Sequence, residues 1–133
     1  MLTGIKEIIR FDQNILENRF QLNGLSGMSN EFVGWATGGV EGGGFLYTNR
    51  DTISLGLVLG IKDLREKKRS PHDLLNHFKS HPTISDAIKG GEIVEYSAHV
   101  VSSGDARVMP KQLCTDGVLI AGEAANLLSL IHI

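Results

Sequence analysis

Two histidines, His77 and His81, lie four residues apart on a predicted helix, a spacing that lets two imidazoles face one metal ion. A zinc-protease helix with this spacing carries a glutamate between its histidines, whereas residues 78–80 here are Phe, Lys and Ser. The sequence also offers no clear third ligand, so we expect two exposed histidines and no metal site. His72 and His99 have no recognisable nucleophile nearby, and no catalytic triad is predicted.

Glycine is concentrated in ATGGVEGGGF, residues 36–45. Bare backbone amides can cradle a phosphate, but neither G-x-G-x-x-G nor G-x-x-x-x-G-K-[ST] occurs in the chain. Two interpretations stay open at this point. The glycines either let the backbone approach a flat ligand closely or make a tight connection between strands.

The segment GVLIAGEAAN, residues 117–126, predicts a buried strand with a glycine and a carboxylate at its C-terminal end. Ligands of α/β sheets bind at such ends. Gly122 permits close approach, Glu123 can accept hydrogen bonds from sugar hydroxyls, and Ala124 and Ala125 begin a helix whose N-terminus favours phosphate. The plainer alternative is an acid that only complements a helix dipole.

The elements that must position these residues are indicated by strand patterns and helix caps. Strands are predicted at 6–9, 32–37, on both sides of a turn at 49–51, at 92–101 and at 117–122. The apolar run 53–61 predicts a central strand covered on both faces. Helices are predicted from Asp12 to Phe20, from Ser70 to Pro82 and over 83–89, and residues 21–31 are predicted to be a loop.

Composition limits the classes of protein that fit. The chain has 133 residues, enough for one domain or a large piece of one, and its net charge of -2 argues against nucleic-acid binding. The charge run at 62–70 predicts a solvated linker, with an acidic partner or membrane headgroups as the alternative. Cys114 is the only cysteine, so we expect a buried, inert thiol and a reducing compartment. No signal peptide or membrane-spanning stretch is evident.

Three segments together resemble one family: residues 42–60, 74–101 and 116–125. In this order and spacing they are similar to the middle of the electron transfer flavoprotein-quinone oxidoreductases, especially the Fix-type bacterial dehydrogenase branch. The resemblance runs from about Ile5 to Ala125. Geranylgeranyl reductases and aromatic hydroxylases share the wider FAD-binding architecture.

The resemblance implies an α+β fragment of an α/β FAD-dependent oxidoreductase. Residues 1–112 would form part of the substrate or quinone domain, a mostly antiparallel sheet with helices on one side. Residues 113–127 would supply the strand and G-E-A-A motif that return to the FAD domain. The family's chain extends beyond both ends, and we expect the last six residues, 128–133, to be a translated sequencing adapter.

The implied function is electron transfer from an electron transfer flavoprotein towards quinone, or towards a ferredoxin-like protein in Fix systems. FAD would lie near Gly122, Glu123, Ala124 and Ala125, with Glu123 in place of the family's usual Asp. Because flavin supplies the electron chemistry, no catalytic side chain is expected. The predicted residues on the flavin and quinone side are Gly43, Gly44, Phe45 and Tyr47.

The location implied is the cytoplasm, with peripheral contact at the inner face of the cytoplasmic membrane left open. We expect the isolated chain to be inactive. The alternatives are a geranylgeranyl-reductase-like flavoenzyme and a stand-alone, non-catalytic binding module.

Overall fold

The computed structural model describes residues 1–101 and 110–125. The strands are β1 Leu2–Arg10, β2 Ser29–Phe32, β3 Gly42–Thr48, β4 Thr52–Gly60, β5 Glu92–Val101, β6 Cys114–Thr115 and β7 Val118–Leu119. The α-helices are α1 Gln13–Phe20, α2 Ile61–Glu66, α3 Pro71–Lys79 and α4 Pro82–Ile88. Two short 3₁₀ turns span Trp35–Thr37 and Gly122–Ala125.

The strands β1 to β5 form one antiparallel sheet in the order β2-β3-β4-β1-β5, and β6 and β7 pair separately with each other. This confirms the predicted α+β class with a mostly antiparallel sheet. The predicted hairpin is β3–β4, closed by a hydrogen bond of 2.7 Å from the Asn49 N–H to the Thr52 carbonyl. The predicted central strand is β4, which lies between β3 and β1.

Local signals place the two helices that cover the middle of the sheet. The Ser70 side chain accepts a hydrogen bond from the Asp73 N–H at 3.4 Å, and Pro71 begins α3. The apolar stripe of α3, including Leu74 and Phe78, is fully buried. Pro82 then begins α4. The start of α3 follows the prediction, and α4 begins one residue before its predicted start at Thr83, because Pro82 occupies the first helical position.

Three predictions for the middle of the chain are corrected by the structure. The predicted loop at 21–31 and strand at 32–37 are displaced: β2 spans Ser29–Phe32, so the loop ends earlier than expected. The strand ends at Phe32, because Gly34 has a φ of 81° and the chain enters the first 3₁₀ turn. The predicted linker at 62–70 is partly helical, since α2 begins directly after β4 and buries Leu64. A single apolar side chain amid charges was too weak a pattern to indicate that helix.

Two further predictions fail near the C-terminal end. Cys114 is exposed rather than buried. The predicted buried strand is reduced to Val118–Leu119, whose side chains are 55% and 76% exposed. Both results have one cause: among the described residues, β6 and β7 pair only with each other.

The predicted adapter segment, residues 128–133, lies outside the described residues, as do residues 126–127 of the predicted FAD segment. Within the described residues, no helix is both long and apolar enough to cross a membrane.

Candidate functional site

The five-stranded sheet has two unlike faces. Side chains alternate between faces along each strand, so the register assigns every residue to one of them. The first face carries Ile5, Glu7, Leu55 and Leu57, all buried beneath the helices. The second face, which we call the open face, carries Gly43, Phe45, Tyr47, Val58, Gly4 and His99. None of the described helices packs on it.

The alternation divides the four residues predicted for the ligand side. Gly43, Phe45 and Tyr47 lie on the open face, whereas Gly44 points to the helices. A Cβ atom at Gly44 would lie 2.9 Å from the Phe78 ring. Gly44 is therefore required by the packing of α3, and its predicted contact with a ligand stays a prediction.

Two aromatic side chains shape the open face. The rings of Phe45 and Tyr47 stack with centroids 5.7 Å apart and planes 21° from parallel. The Phe45 ring lies over Gly56, where a Cβ atom would clash with it. Tyr47 is 37% exposed. The absence of a side chain at Gly56 on the central strand thus makes room for the Phe45 ring against the sheet.

Beside Phe45 the open face contains a groove of about 300 Å³. Its lining is mostly apolar: Glu31, Phe32, Val33, Gly43, Gly44, Phe45 and Val58. Such a groove can hold a flat apolar molecule, and the glycines let that molecule approach the backbone. Sequence reasoning found Gly43, Gly44 and Phe45 but missed Val58 and the end of β2, because only strand pairing brings them together. Tyr47, the fourth predicted residue, is not part of this lining.

The glycine segment before β3 is held in place by α2. The Asp63 carboxylate accepts hydrogen bonds from the Glu41 N–H at 2.7 Å and from Lys67 Nζ at 2.8 Å. Lys67 Nζ also donates to the Gly39 carbonyl. The hydrogen bond from Lys67 lowers the pKa of Asp63, and the one from Glu41 adds to the effect. A charged Asp63 therefore anchors the segment that leads into β3.

The second predicted set lies elsewhere in the fold. Residues 122–125 form the 3₁₀ turn after the β6–β7 hairpin. Gly122 has a φ of 65° and open space where a Cβ would be, so it suits close approach of another molecule. Ala124 is exposed and Ala125 is buried. The predicted contact of Gly122, Glu123, Ala124 and Ala125 with FAD stays a prediction.

The two histidines at helical spacing have different surroundings. His77 is exposed, whereas the partly buried His81 stacks on Trp35 with ring centroids 3.9 Å apart. His81 Nδ1 also accepts a hydrogen bond from the Thr83 N–H at 3.3 Å, which caps α4. The expectation of two exposed histidines is therefore wrong for His81. The described ranges, 1–101 and 110–125, contain no group of three or more potential metal ligands.

Comparison with known proteins identifies a family and several related sequences. Residues 2–101, which include the whole five-stranded sheet, match the family described as ETF-QO, ubiquinone-binding. The chain belongs to this family. Three relatives illustrate the extent of the sequence similarity.

Protein FixC of Escherichia coli (strain K12) is 48% identical over 124 residues, which cover 93% of this chain and 29% of FixC. The probable electron transfer flavoprotein-quinone oxidoreductase YdiS of the same strain is 44% identical over 123 residues, covering 92% of this chain and 28% of YdiS. Protein FixC of Azorhizobium caulinodans is 37% identical over 129 residues, covering 97% and 29%. These matches confirm the resemblance. The chain spans less than a third of the length of each relative.

Proposed function

We propose that this chain is the quinone-side part of a longer FAD-dependent oxidoreductase, which carries electrons from an electron transfer flavoprotein towards quinone. The observation that carries the proposal is the match of residues 2–101 to a ubiquinone-binding family. The lengths of the relatives support the view that further chain belongs to the functional protein.

The open face supports this role chemically. A quinone ring is flat and largely apolar, and the groove offers it the side chains of Phe45 and Val58 together with the bare backbone at Gly43. Burial of the ring against these groups would supply most of the binding free energy, at roughly 25 cal/mol per Å² of apolar surface. The groove would thereby position the acceptor and exclude water from one side of it.

The residues also fit a flavin, in two places. The open face is bare at Gly43 and carries the Phe45–Tyr47 pair, which suits an aromatic ring system. The open space at Gly122 suits a dinucleotide close to the backbone. When bound, FAD would supply the two-electron chemistry, so the protein need offer only position, burial and hydrogen bonds.

We assign residues 113–127 to the returning segment of the FAD domain. Val118, Leu119 and Ile120 are 55%, 76% and 37% exposed, and such an apolar cluster is expected to be covered in the complete protein. Glu123 keeps the negative charge of the usual aspartate on a longer side chain, which would move its oxygens relative to the ribityl and pyrophosphate groups.

The alternative electron acceptor to quinone is a ferredoxin-like protein, which the resemblance to the Fix-type branch implies. For a quinone acceptor we assign the protein to the cytoplasm with peripheral contact at the cytoplasmic membrane, because a quinone with an isoprenoid tail partitions into the bilayer. We expect the isolated 133-residue chain to be inactive without the rest of the protein.

The test is a purified full-length protein that contains these residues. The absorption spectrum of this protein should show bound FAD. Anaerobic addition of reduced electron transfer flavoprotein should bleach the absorption of that FAD. Addition of ubiquinone-1 should then restore the oxidised spectrum. A protein that carries FAD but transfers no electrons to ubiquinone-1 would contradict the quinone role, and reoxidation by ferredoxin would support the alternative.

A further inference from the structure

One row of residues crosses the open face from the groove to the outermost strand. Gly43 on β3 pairs with Val58 on β4, Val58 pairs with Gly4 on β1, and Gly4 pairs with His99 on β5. Residues directly opposite one another in antiparallel strands have their side chains on the same face. His99 therefore shares a row with two groove-lining residues, Gly43 and Val58.

On the open face, no side chain of the described residues lies between Val58 and His99 along this row. Gly4 has no side chain, and a Cβ atom there would meet only the His99 carbonyl oxygen, at 4.0 Å. Neighbouring strands are about 4.8 Å apart, so the Cα atoms of Val58 and His99 are separated by roughly 10 Å. The groove ends at Val58, and a quinone ring that extends from it past Val58 and over Gly4 would have its outer edge within reach of the exposed imidazole of His99.

Several polar and charged side chains surround His99 on the open face, and they differ from it in how they exchange protons. Lys6 and Ser97 lie in the adjacent row, Glu95 lies one row further along β5, and Glu31 and Tyr47 lie across the face near β2. The buried hydroxyl of Ser97 has no hydrogen-bond partner among the described residues. Lysine, glutamate and tyrosine side chains ordinarily keep one charge state between pH 5 and 8, whereas histidine changes its state there.

We propose that His99 is the proton donor to one carbonyl oxygen of the quinone. This inference rests on the proposed function. With two electrons supplied by the reduced flavin of the full-length protein, the imidazolium N–H bond of His99 would break and an O–H bond would form at the nearer carbonyl oxygen of the quinone. The other oxygen takes its proton from water, which completes the hydroquinone. Because His99 is exposed, solvent returns the proton to its imidazole.

Two substitutions in the full-length protein separate proton donation from simple binding. His99→Gln keeps a hydrogen-bond donor but cannot release a proton under these conditions. It should bind ubiquinone-1 nearly as wild type in a calorimetric titration of the oxidised protein, while kcat for quinone reduction falls about 100-fold and its dependence on pH between 5 and 8 is lost. His99→Ala should lower kcat similarly and also weaken binding. His77→Gln, at an exposed histidine on α3, is the matched control and should change neither.

The outcomes distinguish this inference from the proposed function. If wild type reduces ubiquinone-1 and His99→Gln keeps both the rate and the pH profile, the role of His99 is overturned and the quinone assignment stands. If both His99 variants lose only binding, with kcat at saturation unchanged, His99 positions the quinone and the proton step is wrong. A wild-type protein that neither binds nor reduces ubiquinone-1 overturns both.

Discussion

Lys79 Nζ lies 2.8 Å from Glu7 Oε2, joining the last residue of α3 to the middle of β1. The two residues are 72 positions apart in the chain, and the Glu7 side chain is only 6% exposed. This pair fixes α3 against the face of the sheet opposite the groove.

Breaking that pair should destabilise the fold. Lys79→Met leaves the Glu7 carboxylate buried without a partner, and such a change costs about 3 kcal/mol or more. We expect a clear fall in the Tm of the full-length protein. Lys62→Met is the control, because the Lys62–Glu66 pair has side chains 82% and 57% exposed and its loss should have little effect. Equal melting temperatures for the two variants would contradict a structural role for Lys79.

A methyl group at Gly44 should disturb the packing of α3. Gly44→Ala places a Cβ 2.9 Å from the Phe78 ring, and overpacking of this kind costs about 1–3 kcal/mol. Gly4→Ala, where the space is open, is the matched control for stability. The double variant Gly44→Ala/Phe78→Leu should recover part of the loss in a denaturation experiment. If Gly44→Ala is as stable as wild type, Phe78 can move aside and the glycine is not required for packing.

The contribution of the Asp63 carboxylate to stability should be lost at acidic pH. Its pKa is lower in the folded protein than in the unfolded chain, so the stabilisation is present above the unfolded pKa and is lost as the pH falls through the folded one. The stabilisation should therefore be lost below about pH 4, the usual pKa of an aspartate in an unfolded chain. Stability of wild type and Asp63→Asn should differ at neutral pH and converge in acid. Glu66→Gln, in an exposed pair, should not reproduce this pattern.

Filling the groove should weaken quinone binding without unfolding the protein. Val58→Phe adds bulk beside Gly43 and Phe45, and we expect the Kd for ubiquinone-1 to rise at least 10-fold in a titration of the oxidised full-length protein. Val94→Phe adds the same bulk on the edge strand β5, where the side chain is already 37% exposed. A similar Kd for both variants and wild type would place the quinone elsewhere.

The thiol of Cys114 can report whether another domain covers the β6–β7 hairpin. In the 133-residue chain the exposed thiol should react at once with a thiol reagent. In the full-length protein it should be protected until denaturant is added, if the FAD domain packs on this hairpin as proposed. The Cys114→Ser variant measures the labelling that does not come from Cys114. Equal rapid labelling in both proteins would contradict the assignment of residues 113–127.

Local chemistry in the sequence determined much of the fold. The Asn-Arg-Asp turn at 49–51, the Ser70 cap with Pro71, and the strand pattern of 92–101 each specify their element through residues close together in the chain. The apolar run from Ile53 likewise identified β4 as a central strand, which lies between β3 and β1. The expected cover on both faces is not seen among the described residues, because no described helix packs on the open face. The segments that resemble the ETF-QO family also needed only the sequence.

Tertiary structure alone decided which of these residues share a surface. Gly43 and Gly44 are equivalent by type, yet strand register places the first on the open face and the second beneath Phe78. His99 is far from Gly43 in the chain, and only the pairing of three strands with their neighbours brings it into the same row. The exposure of Cys114 likewise depended on which elements cover the hairpin. Register and coverage arise from contacts between distant segments, and composition or spacing within one segment does not encode them.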